Sequence, residues 1–357
     1  MNIARENRRH FAYLDCLRIL AAFLVIVNHT NSYVFKALSP ANATWWLSVL
    51  WYYASKIAVP LFVMVSGACL LPKQDTYRRA LRRFLRVLLA LVLFSYAYYL
   101  ADLLQTGWTW PKALDIPAFL CQIWGKRIAD SFWYLYFYLG LMVMLPILQR
   151  LAAAMRKRDM GYFMAVSFLV FAVWPLVTHY VPALALPAYF DVSLFGIFLG
   201  LFFAGYYINA YAGRINRALC GAVIAAALAA SVWLTAVEYG RVAAGEAYWF
   251  MDDRAAPSAF TVLTAAAAMA LAKQGFAARE PLTASAGRRW AALGGCAFGI
   301  YLTQELAITL TRGPVFNALR SVMNPLLGAL LWELGVFAVT LAAAWAMKRV
   351  PLLKKLL

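Results

Sequence analysis

Arg18 and His29 stand eleven residues apart in one apolar run that begins at Tyr13. Eleven steps of about 100° return two helical side chains to nearly the same face, roughly three turns and ~16 Å apart along the axis. One helix would then carry a guanidinium low on a stripe and an imidazole high on it. A guanidinium holds an anion or developing negative charge, and an imidazole moves protons or briefly carries an acyl group. Ionisable groups at membrane depth are costly and default to a functional reading. The competing account has Arg18 snorkelling to the interface and His29 making a packing contact.

A second concentration of charge is the run Tyr77 to Arg86, YRRALRRFLR. Arg78, Arg82 and Arg86 share an i, i+4 row, with Arg79 and Arg83 beside it. Membrane orientation alone puts some arginines here. Arginine forks also match phosphate oxygens, so the run is a candidate anchor for a phosphorylated donor. Counting rise from Leu14, His29 lies about 22 Å up a hydrocarbon core about 30 Å thick, and Glu305 about 18 Å up its own span. Glu333 and Lys56 reach a similar level, which makes these groups candidates for one polar cavity in the outer half of the membrane. Asp15 lies too far down the same helix to orient His29.

The elements that must position these residues are membrane helices. Of 357 residues, 64% are hydrophobic and 13% charged, too little polar surface for a soluble domain. Repeated long apolar runs predict an all-α integral membrane protein with ten spans, near 13–34, 45–71, 84–104, 132–151, 161–179, 192–211, 218–239, 256–272, 291–311 and 323–347. They form a single domain over residues 1–357, and the first run reads as a retained span, not a cleaved signal peptide. Most basic residues fall in the even-numbered turns and at the two ends, so both termini are expected in the cytoplasm. The net charge of +18 is then a topology signal, with no nucleic-acid partner implied.

The turn over residues 105–131, with Trp108, Trp110 and Trp124, reads as an interfacial or re-entrant segment. Residues 240–257 hold Tyr248, Trp249, Asp252 and Asp253, side chains suited to a sugar or to an ordinary aromatic belt. Gly196-x-x-x-Gly200 and Gly295-x-x-x-Gly299 predict close helix packing. Cys16, Cys69, Cys121, Cys220 and Cys296 show no metal-ligand spacing, so no metal site is expected. The oligomeric state is not set by any of these patterns.

Several motifs carry a family resemblance. Tyr13-Leu-Asp-Cys-Leu-Arg18 followed by ten residues and His29, then Val59-Pro-Leu-Phe-Val-Met-Val-Ser66-Gly67, resemble the first two signatures of the membrane acyltransferase 3 family. Phe132-Trp133-Tyr134-Leu135, Phe203-Ala-Gly-Tyr-Tyr207 and Phe298-Gly-Ile-Tyr301-Leu302 follow in the family's order, so the resemblance covers essentially the whole chain. It implies a bacterial inner-membrane, multi-pass O-acyltransferase that moves an acetyl group from cytoplasmic acetyl-CoA to a hydroxyl of an envelope glycan or lipid-linked sugar. No cofactor is held permanently. With no esterase-like domain appended, the chain is more similar to the family's stand-alone enzymes than to its fused ones.

The resemblance gives His29 the part of general base or transient acyl carrier and Arg18 a donor-side part. The family's Arg-x-x-Arg element is satisfied both by Arg79 with Arg82 and by Arg83 with Arg86, and the sequence does not choose between them. Ser66, Trp133 and Tyr301 are expected to line the cavity. Relatives commonly carry a histidine after Tyr-Leu-x in span nine, where this chain has Gln304 and then Glu305. Gln304 still hydrogen-bonds but cannot move protons near neutral pH. The competing class is a polytopic carrier or channel whose ionisable residues line a pathway, against which no internal repeat with paired helix breaks is visible.

Overall fold

The computed structural model describes residues 11–125, 128–185, 196–213, 215–243, 259–278 and 283–357, which are helical with no strand among them. Among the described residues, eight helices are long and apolar enough to cross a membrane: α1 (Ala12–Phe35), α2 (Ala43–Leu70), α3 (Tyr77–Thr106), α4 (Asp130–Ala154), α5 (Lys157–Tyr180), α7 (Arg217–Arg241), α8 (Ala259–Ala277) and α10 (Pro325–Met347). Helix α9 is a bent pair, Ser285–Gly294 and Ala297–Val322, with 41° between its halves. Ten spans are expected from the sequence. The shortfall lies at α6, a 15-residue apolar helix Ile197–Tyr211, which covers about 22 Å at 1.5 Å per residue.

Two breaks shape the interior. Helix α2 is interrupted at Lys56 and Ile57 between the segments Ala43–Ser55 and Ala58–Leu70. Pro60 falls in the first turn of the second segment, where its missing N–H leaves no intrahelical bond unmade. In α9 the break falls at Gly295 and Cys296, just after Gly294. A Cβ at Gly294 would sit 2.6 Å from Asp15 Oδ1, so only glycine lets the lower end of α1 approach.

Helix α1 runs through the middle of the bundle, with Leu17, Ala21, Ala22, Ile26 and Val27 all at or below 2% exposure. That setting puts every polar group on it against protein and not lipid. The tightest crossing is between α2 and α6. A Cβ on Gly67 would drive into the carbonyl oxygen of Phe202, and one on Gly205 into that of Met64. The other expected small-residue contacts are also close: Gly200 faces Ser167, and Gly299 faces Ala344 of α10. Lys273 closes the end of α6 by donating to the carbonyls of Ile208, Asn209 and Ala212 at 2.7–2.9 Å, a cation at a helix C-terminus.

The segment after α3 forms two short helices, Trp110–Ala113 and Ile116–Gly125. They fold back on α3: Tyr96 and Tyr99 donate to the carbonyls of Ala113 and Lys112, both at 2.8 Å. The Trp124 side chain, and Tyr248, Trp249, Asp252 and Asp253, lie outside the described residues.

Candidate functional site

Two cavities lie one above the other beside α1. The first, about 420 Å³, is lined by Arg18, Ser66, Arg83, Arg86, Tyr138, Gly294 and Gly295, among others. The second, about 330 Å³, is lined by Asn28, His29, Lys56, Asp130, Ser131 and Trp133, among others. Tyr134 and Tyr301 line both. With Phe62 they form a three-ring cluster whose centroids are 5.7–6.3 Å apart. Aromatic side chains from α2, α4 and α9 thus make a thin septum between an arginine-lined space and a histidine-lined one.

The arginines of the first cavity are braced. Arg18 donates to Asp15 Oδ1 at 2.6 Å and to Cys69 Sγ at 3.0 Å, with about a third of its side chain exposed. Arg83 Nε donates to Asp75 Oδ2 at 3.1 Å, and Arg86 Nε to the carbonyl of Leu356 at 2.8 Å. Asp75 is itself held by Gln149 of α4, whose Oε1 accepts the Asp75 backbone N–H at 2.9 Å. Burial alone would raise the Asp75 carboxyl. The Gln149 hydrogen bond and the Arg83 and Arg79 guanidinium groups outweigh it and hold the carboxyl below the usual carboxylate range.

The arginine run therefore splits differently from the i, i+4 row read in the sequence. Arg83 and Arg86 reach the cavity. Arg79 turns to Asp75 at 3.4 Å, and Arg82 is exposed and lines none of the cavities described here. The reason is one of phase: the face of α3 toward the bundle is fixed by Ala80, Val87, Ala90 and Leu91, all buried. That puts Arg83 inward and Arg82 outward.

At the His29 end, Lys56 lies 4.4 Å over the Tyr52 ring, placed by the break in α2. Trp133 packs on Phe198 at 5.7 Å. Asn28 Oδ1 is buried with no hydrogen-bond partner among the described residues. The carboxylates expected in this cavity stand at the right depth but on other faces. Glu305 caps the start of α4, accepting the backbone N–H groups of Asp130 and Ser131, both at 2.8 Å. Tyr301, one turn earlier on the same face of α9, donates to the Ser131 carbonyl. Glu305 and Tyr301 together fix the segment that carries Trp133 and Tyr134.

Glu333, fully buried, accepts from Thr30 Oγ1 at 2.8 Å and Trp51 Nε1 at 3.0 Å, tying α10 to α1 and α2 at the level of His29. Gln304 is buried with neither amide atom hydrogen-bonded among the described residues. The single shared cavity expected from depth alone is thus replaced by two. Ser66 falls on the arginine side, in the same lining as Tyr134 and Tyr138.

Sequence reasoning passed over Asp75, Gln149, Tyr138, Phe62 and Asn28. Two carried a visible signal: Asp75 is an acid at the head of a basic run, and Gln149 an amide inside an apolar span. No curated protein and no solved structure matches the chain. A family model described as an acyltransferase domain matches residues 11–349. The chain belongs to the membrane acyltransferase 3 family.

Proposed function

From that membership and the two stacked cavities, we propose that this acyltransferase moves an acetyl group from acetyl-CoA on the cytoplasmic side to a hydroxyl of an envelope glycan on the other. The observation that carries the reading is the septum: Phe62, Tyr134 and Tyr301 divide a cationic cavity from one that contains the imidazole. Arg83 and Arg86 suit the phosphates of the donor, since a guanidinium fork matches phosphate oxygens. Arg18, three turns below His29 and on the arginine side of the septum, suits the phosphates of the donor as well. The long, thin pantetheine arm is the part of coenzyme A that a gap between aromatic rings would pass.

In the His29 cavity the acceptor hydroxyl gives its proton to the imidazole as its oxygen attacks the thioester carbonyl. The C–O bond forms, the C–S bond breaks, and coenzyme A leaves as a thiolate that takes up the proton. Ester and free thiol are the products, and the imidazole returns to its starting state. Both termini lie in the cytoplasm in this reading, which puts the arginine cavity on the side where acetyl-CoA is made.

Mass spectrometry of envelope polysaccharides from a deletion strain tests the reading directly. Loss of an acetyl mass, restored by the wild-type chain, is the expected result; an unchanged acetylation pattern overturns it. Slow acetyl-CoA hydrolysis by purified protein without acceptor separates this function from that of a carrier, which has no reason to cleave a thioester.

A further inference from the structure

Beyond the His29 cavity, at the same end of the bundle, lies a third hollow of about 450 Å³ lined by Ser32, Tyr33, Lys36, Arg312, Phe316 and Arg320, among others. It shares Ser32, Tyr33 and Lys36 with the His29 cavity, so the two are adjacent. Its lining contains three cations and no carboxylate; Asp130 belongs to the neighbouring cavity only. None of the three cations is within ion-pair distance of a carboxylate among the described residues. Like charges around one concavity repel unless an anion enters, and a concave wall of low dielectric strengthens the field on whatever does.

The hollow is also built to stay in shape. Arg312 stacks 3.8 Å over the Tyr33 ring, and Phe316 stacks on Trp332 at 4.8 Å and 20°. Trp332 is pinned in turn by donating to Thr311 Oγ1 at 2.7 Å. Residues Arg312–Phe316 form a single π-helical turn, a distortion that concentrates at functional sites. Membrane orientation does not account for these charges, because the rule that gathers basic residues in the cytoplasm leaves this end poor in them.

We propose that the Lys36–Arg312–Arg320 hollow binds a phosphate oxyanion carried by the acceptor, a phosphate ester or diphosphate, and so holds the acceptor hydroxyl beside His29. This deepens the function proposed above and rests on the His29 cavity being the acceptor site. Two arginine forks and one ammonium fit a phosphate better than a neutral sugar.

The probe is inorganic pyrophosphate, titrated calorimetrically into the full chain in phosphatidylcholine nanodiscs, with coenzyme A present to occupy the arginine cavity. Wild type should bind it, and Arg312→Gln with Arg320→Gln should weaken binding at least about tenfold, the usual worth of a lost charge-assisted contact. A charge-matched control, Lys354→Gln with Lys355→Gln in the C-terminal helix, should bind as wild type does. Equal binding by wild type and the arginine variant, or none by either, overturns the proposal. Loss of pyrophosphate binding on exchanging phosphatidylcholine for phosphatidylglycerol identifies a lipid headgroup as the occupant and overturns it as well. Because this readout needs no transfer, a negative result here leaves the acyltransferase reading to be judged by the deletion strain.

Discussion

The two cavities beside α1 are close neighbours with opposite construction. Below the septum, each arginine is already held: Arg18 by Asp15, Arg83 by Asp75 and Arg86 by a backbone carbonyl. Above it, Asn28 Oδ1 is buried without a partner among the described residues. Braced guanidinium groups lose little freedom when they receive an anion, so the lower cavity is organised for holding. The upper cavity keeps hydrogen-bonding capacity unspent beside an imidazole, which is what a reacting hydroxyl needs. Substitutions on the two sides should therefore separate catalysis from donor affinity.

The sharpest separation comes from His29→Gln, which keeps hydrogen-bonding ability but cannot accept a proton at working pH. Turnover should fall by roughly 10²–10⁴-fold, with acetyl-CoA binding unchanged. Near-normal acetylation by well-inserted variant protein would remove His29 from the chemistry. On the other side of the septum, Arg83→Gln should raise the KM for acetyl-CoA about ten- to a hundredfold with a smaller effect on turnover. Arg82→Gln, one residue away but outward, should leave it unchanged. Equal effects of the two would return the run to a topology signal.

Opening the septum tests whether the division itself matters. Tyr301→Ala removes a ring that lines both cavities and should increase hydrolysis of acetyl-CoA by water relative to transfer, measured as thiol released per ester formed. Tyr301→Phe keeps the ring and loses only the hydrogen bond to Ser131, a loss of about 1 kcal/mol in stability; it should leave that ratio unchanged.

The smallest effect belongs to Asp75. Its carboxyl is depressed in the folded protein, so its bracing of Arg83 is complete above the ordinary carboxylate pKa and is lost only as pH falls through the lower folded value. Donor affinity should hence stay flat from pH 8 down to about 5, and Asp75→Asn should weaken it severalfold at every pH in that window. A wild-type affinity that falls across the same window points to a different group.

Much of this was legible in the sequence because it is local. Apolar run length gives the spans, and the spacing of Arg18 and His29 gives their shared stripe. Depth is local too, and Glu305 and Glu333 do stand near the level of His29. Direction around the helix is not local: whether Glu305 faces the His29 cavity or caps α4 depends on where α4 begins relative to α9. Which arginines of the run reach a cavity is not local either, since the buried face of α3 is set by its neighbours. The septum is further from view, because its three rings come from three different helices and none is unusual on its own.

The crossing of α2 and α6 has a mechanical consequence for that septum. Gly67 and Gly205 bring the two backbones into contact with no space for a methyl group, so neither helix can roll or slide there without collision. Phe62 stands on the α2 side of that clamp, little more than one turn before Gly67. It is the jamb of the door. Tyr134 and Tyr301 hang from helices joined through Ser131 by hydrogen bonds, so the two rings are held as one unit against it, tied at the carboxylate of Glu305.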